Sequence, residues 1–359
     1  MHSKKETMRR FVLLWLTLCA LTVWSAERVE KRVLLYPSID QSGAPITLSG
    51  MISWPQNKHP KGIILLPHFT ISADKEAPSN KGTGEEKHFQ NDFVLIMPDY
   101  IGFGVTRERM HPYLHGELTA INCVDMYLHS LPVLDSLQLG LPLDSIYIVG
   151  FSQGGATALW ILKHIEEQYP DRIHVKKCFA GSGPHDVAAT FDDAVERNRI
   201  GMPMTIPMLV LGTGEAYDLN LQPEHFLTPA MMRTYTRFIK DKELTVSQVF
   251  FRTLNHRLSH WMTPAGMDRT DPETQRLYKA FQQSSIIHTT WTPHSPVYVF
   301  HSTNDDIVTF RCAEHLKQHL SDNPLITWDF GRYGNHLSSN LHFFSIVKAQ
   351  LQFNFRQKR

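Results

Sequence analysis

Gly150-Phe151-Ser152-Gln153-Gly154 sets one serine between two glycines. A serine hydroxyl becomes a nucleophile when a histidine takes its proton and a carboxylate holds that histidine. So short a pattern recurs by chance, and its surroundings must supply the meaning. An apolar, β-branched run, "SIYIV", precedes it. A helix-forming run, "GGATALWILKHIEEQY", overlaps its end and stops before Pro170. A strand-to-helix corner of this kind strains the backbone at the serine and lifts its hydroxyl clear of the sheet. Gly150 and Gly154 remove the Cβ atoms that would clash there. The amide of Gln153 then opens the helix, where free N–H groups and the dipole favour negative charge. The context predicts an elbow holding a nucleophile, not a glycine-rich turn with an incidental serine.

The partners should follow in the order acid, then histidine, in loops after later strands. "PVYVF" leads into "HSTNDDIVT", with Asp305 and Asp306 adjacent, and "LITWDFG" leads into "RYGNHLSS", with His336. Among 20 histidines, His336 stands out by position, not by type. His342 falls inside the last helix and reads as structural. His315 and His319 are four apart but lack an HExxH arrangement, so they predict a solvated helix face and no metal. The loop "PHFTIS" follows another apolar run, and its Phe69 or Thr70 is the candidate for a second oxyanion N–H. His68 reads as a support for that loop or as an ordinary buried histidine. Asp99, Gly102 and Gly104 lack the third glycine and helix start of a dinucleotide fingerprint and read as a structural loop. The chemistry calls for no cofactor.

These residues need a frame. Residues 31–54 read as a hairpin around "QSGAP". "KGIILLPH", "FVLIMPDY", "SIYIVGFS", "VKKCFAGSG", "PVYVFHS" and "LITWDFG" read as short buried strands. Residues 117–137 have helical spacing interrupted at Pro132, and "SSNLHFFSIVKAQLQF" closes the chain as a helix. Strand and helix alternate, which predicts an α/β fold with a mostly parallel sheet covered on both faces. The alternation breaks between about 186 and 290, where "FDDAVERNR", "MMRTYTRFIKDKELTVSQVFFRTLNH" and "PETQRLYKAFQQS" are helix-like. That stretch is too long for one connection and predicts an inserted, mainly helical cap.

Several pieces together resemble the α/β-hydrolases, and within them the secretory lipases of yeasts and bacteria. They are "PDYIGFG" followed by "HPYLHGE", the helix around "VDMYLHS", the elbow "VGFSQGGATALW", "VFHSTNDDIV" and "GNHLSS". The resemblance spans roughly residues 60 to 345. It implies an α/β-hydrolase fold and an acyl-ester hydrolase. In that family the acid stands two residues before the position held here by Ile307, ahead of Val308, which selects Asp305 over Asp306. The family's serine and histidine fall on Ser152 and His336. The family can also place an acidic side chain in its oxyanion loop, yet "HFTISADKE" has none at that spacing, and Asp74 comes too late.

The competing readings are a prolyl-peptidase-like serine peptidase and a hydrolase-like shell that only binds. The first usually carries a propeller, for which this chain has no repeat. The second is disfavoured by an intact serine, acid and histidine. The 359 residues are 42% hydrophobic and carry a net charge of +1, so nothing points to nucleic acid. The expected partner is a small acyl ester or an acylated polymer. At the N-terminus, "MHSKKETMRR", "FVLLWLTLCALTV" and "WSAER" form the basic, apolar and small-residue parts of a secretory signal. Residues 1–26 are read as that signal, with cleavage after Ser25 or Ala26 and the alternatives of an uncleaved anchor or a lipid on Cys19. Its apolar part is short of the roughly 20 residues of a span. The mature chain is then exported, has no stable membrane span, and keeps Cys123, Cys178 and Cys312 as buried free thiols.

Overall fold

The computed structural model describes residues 29–56 and 59–356. The signal segment and Cys19 lie outside the described residues. Eight strands form one sheet in the order β1-β2-β4-β3-β5-β6-β7-β8. They are β1 (Val29–Ile39), β2 (Pro45–Pro55), β3 (Ile63–Leu65), β4 (Val94–Pro98), β5 (Ser145–Phe151), β6 (His174–Gly181), β7 (Val297–Ser302) and β8 (Ile326–Gly331). The expected hairpin is β1 and β2, paired antiparallel from Val29↔Pro55 to Ile39↔Pro45, and β2 joins β4 antiparallel. All pairs from β4 to β8 are parallel.

The central strands are buried on both faces, which is why they read as unbroken apolar runs. Alternate residues go to opposite sides. Ile63, Leu65, Ile146, Ile148, Val297 and Val299 pack toward helices Gly116–Ser136 and Gln153–Gln168. Ile64, Val149, Phe151, Phe179 and Phe300 pack toward Phe343, Phe344 and Val347 of the last helix. That helix runs from His336 to Arg356, starting two residues earlier than the sequence suggested. Cys123, Cys178 and Cys312 are free and buried.

Two expectations on helices are corrected. Helix Gly116–Ser136 continues through Pro132. Pro132 is exposed, while Met126, Tyr127, Ser130 and Leu134 are buried and hold the turns on either side of it against the core. Packing here outweighs the one lost backbone bond. The stretch "MMRTYTRFIKDKELTVSQVFFRTLNH" is not one helix. It holds Pro229–Tyr235 with a π-type turn Thr236–Lys240, then a separate helix Val246–Phe250. The break falls at Lys242, whose φ of 53° ends helical geometry. Its Nζ donates to the carbonyls of Gly102, Arg107 and Arg109, tying this segment to the loop after β4.

The chain between β6 and β7 is built from helices, of which Val187–Glu196 and Pro272–Gln283 are the longest among the described residues. They enclose a core of their own, including Phe191, Met204, Phe226, Trp261 and Phe281, with Tyr113 reaching in from the loop before helix Gly116–Ser136. This layer stands over the carboxyl edge of the sheet, where loops from different strands converge.

Candidate active site

Strand β5 ends at Phe151 and the next helix begins at Gln153, which leaves Ser152 alone at the corner. Its φ of 57° and ψ of −123° form a conformation that costs about 1–3 kcal/mol unless its surroundings impose it. They do. Ser152 N–H donates to Gly181 O at 2.8 Å, and Ser152 O accepts from the amides of Gly155 and Ala156 at 2.9 and 3.1 Å. A Cβ on Gly150 would lie 2.1 Å from Gly154 O, and one on Gly154 would lie 2.2 Å from Pro67 O. Both glycines are therefore required by close backbone approach.

The loops after β7 and β8 bring two further groups to this corner. His336 Nε2 lies 2.9 Å from Ser152 Oγ, and His336 Nδ1 lies 2.7 Å from Asp305 Oδ2. The other oxygen of Asp305 accepts the amides of Ile307 and Val308 at 3.0 and 2.9 Å. The spacing of the acid before Ile307-Val308 thus has a physical reason, because those two amides hold the carboxylate. Burial pushes the Asp305 carboxyl up, but the His336 ring, then His301 and the Ile307 amide, pull it further down, and it ends below the usual carboxylate value. Asp306 is exposed, and among the described residues its carboxylate accepts only the backbone N–H of His336, at 3.2 Å. It positions the histidine through the main chain.

The oxyanion side needs one correction. Gln153 N–H opens its helix and has no intrahelical partner. Its side chain is fixed, with Nε2 donating to His111 Nε2 at 2.8 Å while His111 Nδ1 donates to Ile101 O at 2.8 Å. Burial lowers His111 to about 3, so the ring is neutral and can accept and donate in this way. Phe69 N–H, one of the two expected donors, is turned away to Glu85 Oε2 at 3.2 Å. Thr70 is the remaining candidate of the pair. Its amide meets no acceptor among the described residues, and its hydroxyl is bonded to Tyr113 OH at 2.8 Å. His68 is buried beneath this loop, stacked on Tyr100 with ring centroids 4.0 Å apart; burial lowers it to about 4, and the single N–H of the neutral ring donates from Nδ1 to Phe69 O at 2.6 Å. It supports the loop, as one of its two readings held.

Glu85, His111 and Tyr113 escaped the sequence reading. Glu85 is 3% exposed and accepts from both Phe69 N–H and Thr83 Oγ. Burial pushes its carboxyl up to about 8. It stands 16 residues beyond Phe69, at the start of the single 3₁₀ turn Glu85–His88, which is too short for periodicity to mark it. The remaining candidates are structural. Asp99 accepts from Ser49 Oγ and Ser79 N–H, and Gly102 and Gly104 have φ of 93° and 58°. His315 Nδ1 pairs with Asp186 Oδ2 at 2.7 Å, and His342 stacks on Tyr333.

Ser152 and His336 open into a chamber of about 310 Å³, whose lining includes Phe69, Tyr113, Met202, Leu209 and Ile307. Across residues 83–337 the sequence matches the model of the alpha/beta hydrolase fold family. The chain belongs to the α/β-hydrolases. No curated protein matches it in sequence. Among solved structures, this α/β-hydrolase is similar to the rice cell wall degrading esterase LipA from Xanthomonas oryzae, with a TM-score of 0.76, 19% identity, and 94% and 93% of the two chains covered. It is also similar to a protein from Legionella pneumophila, with a TM-score of 0.80, 18% identity, and coverage of 92% and 90%. Candida antarctica lipase A in its closed state gives 0.62 and 16%, covering 88% of this chain and 75% of the lipase. At such identities the likeness is one of fold.

Proposed function

We propose that the protein is an exported serine carboxylic ester hydrolase acting through an acyl-enzyme. The observation that carries the reading is the continuous hydrogen-bonded path from Ser152 Oγ through His336 to Asp305 at a strained elbow facing an apolar chamber. Ser152 Oγ attacks the ester carbonyl as His336 Nε2 takes its proton, and Asp305 holds the imidazolium through Nδ1–H. Gln153 N–H and Thr70 N–H receive the oxyanion. One such donor is worth about 10²–10³ in turnover. His336 then protonates the leaving alcohol. Water, deprotonated by the same ring, attacks the acyl-serine and releases the acid.

The basic, apolar and small-residue succession at the N-terminus supports export. Among the described residues no helix is long and apolar enough to cross a membrane. The substrate is a small acyl ester or an acylated polymer, and the likeness to the rice cell wall degrading esterase of Xanthomonas favours testing the polymer. A fluorophosphonate should add once to the protein by intact mass, at Ser152. An acyl series from acetate to laurate should then show ester turnover with a chain-length optimum. Absence of both the adduct and ester turnover would reject the reading.

A further inference from the structure

Stabilising an oxyanion needs two N–H groups aimed at one oxygen from about 2.7–3.1 Å. Here the two donors, Thr70 in the loop after β3 and Gln153 at the elbow, come from different parts of the chain and both line the chamber. On one side the main chain sets them against each other. A Cβ on Gly154 would lie 2.2 Å from Pro67 O and 3.0 Å from His68 O.

On the other side a single tripeptide holds both side chains. Gln153 Nε2 donates to His111 Nε2 at 2.8 Å, and the hydroxyls of Thr70 and Tyr113 are bonded at 2.8 Å. All four residues are buried, at 7% exposure or less. Two bonds shielded from water in this way hold their partners firmly.

The tripeptide is itself rigid. His111, Pro112 and Tyr113 form a γ-turn, closed by Tyr113 N–H donating to His111 O at 2.8 Å. Pro112 fixes φ at its centre. His111 Nδ1 donates to Ile101 O at 2.8 Å, and His115 N–H donates to Pro112 O at 3.1 Å, which anchors the turn at both ends. Backbone also closes on it from two directions. A Cβ on Gly102 would lie 2.8 Å from His111 Cα, and one on Gly212 would lie 2.6 Å from His111 O. The Tyr113 ring belongs to the apolar core of the cap. A turn so enclosed carries its two outer side chains as one unit, and with them Gln153 and Thr70. Misplacing a catalytic group by about 1 Å can cost about a hundredfold in rate.

We propose that the turn His111-Pro112-Tyr113 is the positioning element of the oxyanion hole, setting the gap between the Gln153 and Thr70 amides. His111 and Tyr113 are positioning residues that act through Gln153 and Thr70. The inference rests on the ester-hydrolase reading and adds what aligns the two donors once the ester is bound.

Tyr113→Phe, Thr70→Val and Gln153→Met each delete one side-chain bond and leave both amides in the chain. On p-nitrophenyl butyrate each should lower kcat by about ten- to hundredfold, with KM within about twofold. Propyl trifluoromethyl ketone is the second probe. Ser152 Oγ adds to its carbonyl carbon, the proton passes to His336, and the carbonyl oxygen becomes an oxyanion. Its affinity should fall by the same factor as kcat. The double variant Tyr113→Phe, Thr70→Val should be no slower than the slower single, since both changes cut one bond. Thr70→Ser keeps the hydroxyl and should retain most of the rate. A folded Tyr113→Phe with unchanged kcat, a loss confined to KM, or losses that multiply in the double variant would overturn the clamp. If no ester were turned over, the hydrolase reading would fail by itself, and NMR would decide the clamp. The Thr70 and Gln153 amide resonances should both move in Tyr113→Phe; resonances that stay in place would overturn it.

Discussion

His336 Nε2 lies 2.9 Å from the hydroxyl of Ser152, although 184 residues separate the two in the chain. The contact joins the end of β5 to the loop after β8, across two intervening strands of the sheet. Four consequences can be measured.

Ser152→Ala removes the nucleophile and leaves the chamber intact. Turnover of p-nitrophenyl butyrate should fall by about 10³–10⁶, with unfolding temperature little changed. A variant turning over at the wild-type rate would mean that another group attacks.

The two adjacent aspartates should separate sharply. Asp305→Asn keeps the volume but puts a donor where His336 Nδ1–H needs an acceptor, so kcat should drop by about 10²–10⁴. Asp306→Asn still offers an oxygen to the His336 amide and should cost less than about tenfold. Similar losses in both would contradict the assignment.

Gly154→Ala forces a methyl to within 2.2 Å of Pro67 O, in the chain leading to Thr70. Elbow and oxyanion loop must part. Stability should fall by about 1–3 kcal/mol in chemical denaturation, and kcat should fall with it. A stable variant with an unchanged kcat would show that the loop can yield.

Glu85 titrates in the folded chain near 8 because it is buried, against an ordinary 4.5. Between those values the folded chain holds a proton that the unfolded chain has released. The contribution of Glu85 to stability is therefore greatest below about 4.5 and declines as pH rises toward 8, by at most about 1.4 kcal/mol per pH unit. Glu85→Gln stays neutral, keeps an acceptor for Phe69 N–H, and should flatten that part of the profile. Denaturation curves for both proteins at several pH values across the window provide the check; parallel profiles would place the decline elsewhere.

The sheet was legible because its central strands are buried on both faces and leave continuous apolar runs such as "IYIV". The elbow was legible because one sharp corner needs its glycines next to the serine. His336 and the adjacent Asp305 and Asp306 could be named because each sits just past a strand, on the edge where the loops gather, and the resemblance to the secretory lipases chose Asp305 of the two. The helix through Pro132 was misread, because the buried residues around the proline outweigh its local preference. Lys242 broke a run that looked helical, because its amine serves carbonyls about 140 residues away.

The sequence by itself determined the order of elements, the elbow, and the serine, acid and histidine set on later loops, all of which depend on near neighbours in the chain. Only the tertiary structure decided that Glu85 takes the Phe69 amide, that His111 fixes Gln153, and that Tyr113 meets Thr70. Each of these joins groups from segments far apart in the chain, and no local spacing records such a meeting.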